Sequence, residues 1–368
     1  MIVDSHAHIF EKWSGAGGLP SRAIHWKYIQ KNLTRPAAKV FRHRDGAPGE
    51  AANLFRPGDN TWAGLRDDVD FRVGAYGRIE FTVDGEDFYV QYMPVGMAQI
   101  ESTPEFMITQ MNAAGVDHCI LQAGFTYGQM NDYNALAQSR YPERFTGLFH
   151  VDEARADTDH WMDEARRARE KLGLRGLYYQ LDQFSRYGFD AWFDDARYEG
   201  FWSMIESFGV PVFFEAASIP DYDEASYLTV VGRLGGLMDR HPAIRWLLVM
   251  TPPVPYFASD GHWDFPDVAA SVYGRDNVRL EMCFPITWGG VWDYPYPEAR
   301  DLIRDLRDRY GAGKLVWGSD MPNVERFCTY KQCLDYIRRH CDFLSGDEMQ
   351  RILGGNVREL LGIGGPPS

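Results

Sequence analysis

The stretch Met1-Ile-Val-Asp-Ser-His-Ala-His-Ile-Phe10 decides how the rest of this 368-residue chain is interpreted. Ile2 and Val3 predict a short β-strand, and His6 and His8 follow at its end. Successive side chains of a strand point to opposite faces, so the two imidazoles are expected on one face, about 6–7 Å apart. Two histidines in this arrangement can bind one metal ion. The alternative is a pair of surface histidines on a frayed chain end.

A second apolar stretch, far along the chain, offers a third metal ligand. Leu315-Val-Trp-Gly-Ser-Asp-Met-Pro322 predicts another strand, and the acid Asp320 lies at its end. Imidazole nitrogens combined with a carboxylate oxygen bind Zn²⁺ and similar cations. The two stretches therefore predict that His6, His8 and Asp320 meet around one ion.

Composition limits the class of protein. Apolar residues make up 45% of the chain, which is enough for a large core, and no apolar run is long enough to cross a membrane. The formal net charge of −14 argues against a nucleic-acid partner, because phosphates require a basic surface. Five cysteines without a CxxC pair, and an N-terminus without a signal-peptide pattern, predict a cytoplasmic protein with reduced thiols.

From residue 104 onward, apolar strands alternate with helical segments. With the first strand they make eight predicted strands: Ile2–Val3, Val116–Leu121, Phe145–His150, Leu174–Tyr179, Val212–Ala216, Ile244–Met250, Val278–Met282 and Leu315–Gly318. Repeated βα units form parallel sheets, and eight of them most simply close into a (β/α)8 TIM barrel of the α/β class. A doubly wound open sheet is the alternative, but the Gly-rich phosphate loop that it requires after the first strand is not in the sequence. We predict one domain over residues 1–368.

Residues 11–103 interrupt this pattern and form a predicted insertion after the first strand. A typical connection has about 2–6 residues. Apolar and polar residues alternate from Ile79 to Val83, and the alternation resumes after Asp84-Gly85. An Asp-Gly pair between alternating runs is a strong hairpin signal. The insertion is therefore predicted to be a lid that contains a β-hairpin.

The functional site of a (β/α)8 barrel lies at the carboxyl ends of its strands. In this chain, those ends carry several polar side chains: His6, His8, Gln122, His150, Tyr178, Tyr179, Gln180, Glu215, Thr251, Glu281 and Asp320. Glu215 follows two phenylalanines, and a carboxylate buried in an apolar strand must be paired or metal-bound. We predict Glu215 as a further metal ligand. A salt bridge to an arginine is the alternative.

Three motifs resemble the amidohydrolase superfamily. They are the opening Val-Asp-Ser-His-Ala-His, the late Trp-Gly-Ser-Asp-Met-Pro and the terminal Gly-Gly-Asn-Val-Arg-Glu-Leu-Leu-Gly. The resemblance is strongest to the branch related to aminocarboxymuconate semialdehyde decarboxylase, which contains decarboxylases, C–C hydrolases, hydratases and lactone hydrolases. It implies that His6 and His8 are the first two metal ligands, and that Asp320 contacts the metal and transfers protons.

Two positions depart from the pattern of that family. Strand five usually ends in a metal-binding histidine, where this chain has Glu215, and strand six usually ends in a histidine, where it has Met250. A carboxylate preserves metal binding, but a thioether preserves neither proton transfer nor comparable hydrogen bonding. A metal-free or non-catalytic member of the family is therefore an alternative.

The remaining site candidates lie at strand ends and in aromatic loops. His150 is a predicted catalytic residue, with a buried structural histidine as the alternative. The predicted substrate-binding residues are Glu281, Trp288, Tyr179 and His262. The aromatic loops after strands six and seven can line a pocket for a flat ring, or they can pack against the lid or a second subunit. A homodimer is accordingly an open alternative.

Three arginines are further candidates for substrate recognition. They are Arg72, Arg78 and Arg326. A guanidinium group presents a planar fork of N–H donors that matches a carboxylate.

The predicted function is metal-dependent hydrolysis of a small aromatic or unsaturated carboxylate, by a metal-activated water. Zn²⁺ is the expected ion and Mn²⁺ the alternative, and Asp320 is expected to transfer the proton. The alternative reaction is nonoxidative decarboxylation of a hydroxy- or aminobenzoate-like acid.

Overall fold

The computed structural model describes residues 1–33, 38–216, 223–287 and 292–363. Trp288, one of the predicted substrate contacts, lies outside these residues. The strands of the described residues are β1 (Val3–Ala7), β2 (Val40–Arg42), β3 (Pro48–Gly49), β4 (Arg72–Val73), β5 (Arg78–Val83), β6 (Glu86–Gln91), β7 (His118–Leu121), β8 (Phe145–Gly147), β9 (Leu177–Gln180), β10 (Val212–Glu215), β11 (Trp246–Leu248), β12 (Ala258–Ser259), β13 (His262–Trp263), β14 (Val278–Met282) and β15 (Leu315–Trp317).

Eight parallel strands form a barrel, which confirms the predicted fold. β1, β7 and β8 pair in that order, and β9, β10, β11, β14 and β15 form a second arc. Parallel bridges join the two arcs at both seams, between Phe149 and Leu177 and between Ala7 and Met321. The first and last strands therefore lie side by side, which is what the metal-site prediction requires.

Most helices pack around this barrel, and the first one lies in the insertion. In chain order they are α1 (Arg22–Asn32), α2 (Pro104–Ala114), α3 (Asn131–Arg140), α4 (Asp159–Glu170), α5 (Asp182–Arg186), α6 (Glu199–Phe208), α7 (Glu224–Arg240), α8 (Val254–Phe257), α9 (Asp267–Tyr273), α10 (Phe284–Thr287), α11 (Pro297–Tyr310), α12 (Tyr330–His340), α13 (Gly346–Gln350) and α14 (Asn356–Leu361). None of the helices in the described part of the chain is both long and apolar enough to cross a bilayer.

The barrel strands separate two apolar layers, because alternate side chains face opposite ways. Tyr178 and Phe213 belong to a cluster that draws on six of the strands and on α14, and this cluster fills the barrel interior. Their neighbours Tyr179 and Phe214 belong to the larger cluster between strands and helices. A strand residue can therefore reach the site only if its side chain points into the barrel and not toward the helices.

The insertion, residues 11–103, has a sheet and a core of its own. Five antiparallel strands pair in the order β3-β2-β6-β5-β4. Its two ends leave the barrel together, because Phe10 and Ser102 exchange backbone hydrogen bonds of 2.8 and 3.0 Å. Buried residues of the insertion form one cluster with Ala123, Tyr127 and Met130, which follow β7. The insertion therefore rests on the same end of the barrel as the predicted site.

The predicted hairpin of the insertion is confirmed. β5 and β6 pair from Arg78–Gln91 to Val83–Glu86. The two residues between them, Asp84 and Gly85, both have a positive φ, of 51° and 79°. This is the geometry of a type I′ turn, whose twist matches that of the paired strands. The sequence missed the flanking strands β2, β3 and β4, since runs of two or three residues carry no period.

The helical segment at the end of the described chain is not continuous. A π-helical turn, Arg351–Gly355, separates α13 from α14, with non-helical backbone at Gly354. A Cβ atom at Gly354 would lie 2.6 Å from the Met1 carbonyl oxygen, so only glycine allows β1 to approach this closely. The interruption is thus set by a contact with the opposite end of the chain.

Candidate metal centre

The structure brings His6, His8 and Asp320 together at the seam between β1 and β15. His8 Nε2 lies 3.1 Å from His6 Nε2 and 2.9 Å from Asp320 Oδ1, and His6 Nε2 lies 3.7 Å from the same oxygen. All three side chains are buried. Three potential ligand atoms from opposite ends of the sequence therefore share one small volume.

The backbone at the seam positions these side chains. The Asp320 N–H donates to the His6 carbonyl at 2.8 Å, and the His8 N–H donates to the Met321 carbonyl at 2.7 Å. Asp320 has a left-handed backbone, with a φ of 61°, which is unfavourable for a residue with a side chain. The pairing of β1 with β7 shifts register between Asp4 and Ala7. The directions of the two histidine side chains therefore do not follow from the regular alternation of side chains along a strand. Strain and a bulge at one point are typical of functional sites.

Hydrogen bonds on the far side of each ring fix which nitrogens face the cluster. His6 Nδ1 lies 2.8 Å from Glu281 Oε2, and His8 Nδ1 lies 2.9 Å from the Gln122 carbonyl oxygen. Both partners are acceptors, so both Nδ1 atoms carry hydrogen, an assignment that follows from the bonding partners. In neutral rings, two Nε2 lone pairs then face each other at 3.1 Å. Such a pair is repulsive unless a positive charge lies between the nitrogens.

The electrostatics of the cluster favour that positive charge. Burial disfavours the imidazolium of His6, but Glu281, Asp320 and Glu215 outweigh it and raise its pKa to about 9. Burial likewise opposes ionisation of Asp320, yet the hydrogen bond that His8 donates when its ring is protonated, and the positive charge of the two imidazoles in that form, hold its pKa below the usual value. Three carboxylates therefore create a negative potential at the histidine nitrogens.

Glu281 occupies a different place from the predicted one. We expected it to contact substrate, but it has no exposed surface. Besides His6, its carboxylate accepts hydrogen bonds from Ser5 Oγ at 2.5 Å and from Gln122 Nε2 at 3.3 Å. It lies behind His6 and orients the ring, which is the usual role of a carboxylate bonded to a metal-binding histidine. The sequence showed an acid at a strand end but not which side of the histidine it faces.

Glu215 lies beside the cluster. Its carboxylate is not part of the group of ligand atoms of His6, His8 and Asp320, which all lie within 4.8 Å of one another. Its Oε2 accepts hydrogen bonds from the Tyr178 hydroxyl and, at 3.0 Å, from Gln180 Nε2. The Tyr178 ring meets the His6 ring edge-on, with centroids 6.4 Å apart. Both of these donors are neutral groups. The metal-binding role of Glu215 stays a prediction.

Tyr179 was the wrong tyrosine for a substrate contact. It is fully buried in the outer layer, where it stacks with Phe214 and packs against Trp202. Tyr178, one position earlier, points into the barrel toward Glu215. Strand parity explains the error, because a shift of one residue exchanges the two faces.

Two predicted histidines have partners away from the cluster. His150 Nε2 accepts the Met130 backbone N–H at 3.1 Å, and the ring packs edge-on against Phe125. Burial lowers the pKa of His150 to about 4. These contacts favour the structural alternative, and the catalytic role of His150 stays a prediction. His262 is exposed in the β12–β13 hairpin, and the next residue, Trp263, is fixed to α11, so this histidine is not brought to the site.

Two residues of the site were not predicted. The Tyr127 ring stacks on His8, with centroids 4.3 Å apart and planes at 21°. Asn323 Nδ2 donates to the Tyr127 hydroxyl at 2.7 Å and to Asp320 Oδ1 at 2.8 Å. Asn323 follows Asp320 by three residues, a spacing that could have indicated a local contact. Tyr127 lies in a loop and gives no such signal.

A closed parallel barrel with two histidines at the end of its first strand and an aspartate after its last defines a class of metal-dependent hydrolases and lyases. The sequence model of the family described as Amidohydrolase matches residues 3–363, so the chain belongs to the amidohydrolase family. Enzymes of this family are hydrolases or carboxy-lyases.

Individual relatives are distant. The chain is 29% identical to an L-fucono-1,5-lactonase of Burkholderia ambifaria over 140 residues, which is 34% of this chain and 44% of the lactonase. The matched part is therefore less than half of that relative. A probable 2-pyrone-4,6-dicarboxylic acid hydrolase from Acinetobacter baumannii, with citric acid bound, superposes with a TM-score of 0.53 at 18% identity, covering 72% of this chain and 90% of the hydrolase.

A second solved structure shares the fold to the same degree. It is a dihydroxybenzoic acid decarboxylase from a Polaromonas species, with bound manganese and the inhibitor 2-nitroresorcinol. Its TM-score is 0.51 at 18% identity, and the alignment covers 70% of this chain and 85% of the decarboxylase. At such identities the likeness establishes the barrel fold, and the reaction must be argued from the site.

Proposed function

We propose that the chain is a metal-dependent hydrolase whose substrate is a small aromatic or unsaturated carboxylate. The convergence of His6, His8 and Asp320 is the observation that carries this proposal. Two imidazole nitrogens and a carboxylate oxygen form a donor set that suits Zn²⁺ and Mn²⁺. The lone pairs that face each other at 3.1 Å gain a shared cationic partner when an ion binds.

Each residue of the site has a distinct part in the proposal. His6 and His8 would hold the ion through Nε2, Asp320 through Oδ1, and Glu215 is the proposed fourth group. Zn²⁺ is our first choice, and the manganese in the decarboxylase of similar fold supports Mn²⁺ as the second. When bound, a divalent cation supplies Lewis acidity and lowers the pKa of a bound water.

Asp320 is the residue that would move the proton. Its Oδ1 is occupied by His8 and Asn323. Its Oδ2 makes no hydrogen bond to any residue that the structure describes, so this oxygen is the one available to a substrate or a water. Stacking of Tyr127 on His8 and burial of the cluster keep bulk water from the imidazoles. Proton transfer by a positioned carboxylate is a standard part of such hydrolysis.

Decarboxylation is the second candidate, and Met250 is the observation that favours it. At the strand-six position, where a second proton-transfer group would lie, the chain has a thioether packed against the barrel interior. Hydrolysis needs one group to activate water and benefits from another to protonate the leaving group, whereas decarboxylation needs a single acid toward the vacated carbon. Asp320 alone can serve as that acid.

Metal analysis of the purified full-length chain tests the proposal. We expect about one Zn²⁺ or Mn²⁺ per chain, and loss of that ion in His6→Ala. His262→Ala is the matched control, because it removes an exposed imidazole outside the cluster and should leave the stoichiometry unchanged. Equal metal content in both variants, or no stoichiometric metal in the wild type, contradicts the proposal.

Product analysis separates the two reactions. With pyrone and lactone carboxylates, hydrolysis produces ring-opened acids, and solvent ¹⁸O enters the product. With hydroxy- and aminobenzoates, decarboxylation releases CO₂, and solvent deuterium enters the vacated ring position. Release of CO₂ with deuterium incorporation and without ring opening would replace hydrolysis by the second candidate.

A further inference from the structure

We infer that Arg326 binds the carboxylate of the substrate. This inference rests on the proposed function, because a substrate carboxylate is part of the proposed substrate class. It adds the residue that recognises the anion and thereby sets specificity.

Backbone and side-chain contacts link Arg326 to the metal centre. It is the last residue of the 3₁₀ turn Asn323–Arg326, which begins three residues after Asp320. Arg326 Nε donates to the Asn323 carbonyl at 3.1 Å, while the Asn323 side chain donates to Asp320 Oδ1 at 2.8 Å. The guanidinium is therefore anchored, through one intervening residue, to a proposed metal ligand.

Aromatic contacts place the guanidinium between the barrel and the insertion. Its central carbon lies 5.9 Å from the Tyr92 ring centroid and 5.2 Å from that of Phe327. Tyr92 in turn packs against Trp13, and Trp13 against Tyr127, the ring that stacks on His8. A continuous row of aromatic rings thus runs from Arg326 to the cluster.

The charge of Arg326 is available to a ligand. Arg326 is exposed, its Nε donates to a carbonyl, and no acidic side chain in the described residues forms an ion pair with it. Of the other two candidate arginines, Arg72 is neutralised by Asp70, Glu80 and Asp87 within the insertion. Arg78 lies on strand β5 of the insertion, over the Tyr89 ring, and has no contact that links it to the metal centre in the described residues.

The geometry of the group suits an anion with two oxygens. Nε is fixed by the carbonyl, and the two aromatic contacts hold the planar group, which leaves both terminal nitrogens as a preorganised fork. A carboxylate can accept two parallel hydrogen bonds from such a fork. In a chain of net charge −14, a local unpaired cation at the site also offsets the repulsion of an incoming anion.

Binding of benzoate and of its neutral analogue benzamide tests the inference. Both probes are titrated into the metal-loaded full-length chain by calorimetry, for the wild type, Arg326→Met, Arg326→Lys and the control Arg351→Met. Arg351 is also exposed but lies at the opposite end of the barrel, in the turn that packs under β1. The control therefore removes the same charge from the molecule without touching the site.

We expect Arg326→Met to weaken benzoate binding about tenfold or more, with a partial loss in Arg326→Lys and under twofold change in the control. Benzamide binding should be unaffected in all variants. Equal loss of benzoate and benzamide, an equal effect of Arg351→Met, or no benzoate binding by the metal-loaded wild type overturns the inference. Absence of stoichiometric metal would instead defeat the proposed function, so the two failures are distinguishable.

Discussion

The rim of the barrel and the insertion meet at Tyr127, but they are stabilised by different interactions. At the rim, buried polar groups bond to one another across strands, as Glu281 does with Ser5, His6 and Gln122. In the insertion, residues such as Phe81 and Ile79 form an apolar core under a small antiparallel sheet. A polar network demands fixed geometry, whereas an apolar core tolerates adjustment.

This difference separates two functions in space. Every atom of the three-residue cluster, and every partner that orients its rings, comes from the barrel strands and the loops that follow them. The insertion reaches the cluster indirectly, because Trp13 packs at a tilt against Tyr127 and the Tyr127 ring stacks on His8. We therefore expect metal binding to depend on the rim alone, and substrate selection to depend on both regions.

The largest expected effect is loss of the metal ion in His8→Ala. Removing one of three donors should lower metal affinity by more than 100-fold, measured by competition with a chromogenic chelator. Hydrogen exchange in the insertion should remain as in the wild type. Retention of stoichiometric metal would show that the cluster is not the binding site.

The second test destabilises the insertion and leaves the residues of the rim unchanged. Phe81 is fully buried and stacks with Phe88, so Phe81→Ala should destabilise the insertion by about 3–5 kcal/mol. Faster amide exchange should be confined to the insertion, while metal stoichiometry stays unchanged. Metal loss in this variant would mean that the two regions are energetically coupled.

The third test concerns His150, whose Phe125 neighbour stacks on Tyr28 of the insertion. Burial lowers the pKa of His150 to about 4 in the folded chain. As pH falls from the ordinary pKa of histidine toward 4, the imidazole therefore binds a proton in the unfolded chain but not in the folded chain. Folding stability from this group is thus present at neutral pH and decreases on acidification, by about 3 kcal/mol at most. Urea unfolding of His150→Gln should show a flatter pH dependence over this window. An identical pH dependence in both proteins would contradict the assignment.

The smallest expected effect concerns Glu281, the carboxylate at the rim that orients His6. Glu281→Gln keeps the shape of the side chain but removes the charge that orients His6, and should weaken metal binding about 10–100-fold. The fold should survive, as judged by circular dichroism. Glu170→Gln, the same change at an exposed carboxylate at the end of α4, controls for net charge. Unchanged metal affinity in Glu281→Gln would assign this carboxylate a purely structural part.

The sequence was informative wherever the signal was local. Buried strands are apolar runs and Asp84-Gly85 is a turn signal, so the barrel and the hairpin could be predicted. The orientation of Tyr178 and Tyr179 could not, since the two candidates differ by one residue and the strand limits are uncertain by more than that. The role of Glu281 and the break at Gly354 depend on contacts with residues near the other end of the chain, which no local pattern contains.

The backbone pairing of Phe10 with Ser102 has a consequence for how such a molecule can diversify. The two ends of the insertion are neighbours, and the entropy cost of closing a connection between fixed ends rises slowly with its length, by about 0.6 kcal/mol for each doubling. Segments of very different length and shape can therefore be exchanged at this point without disturbing the strands on either side. Different insertions at this junction can therefore present different side chains to the same pair of histidines, which are the proposed metal ligands.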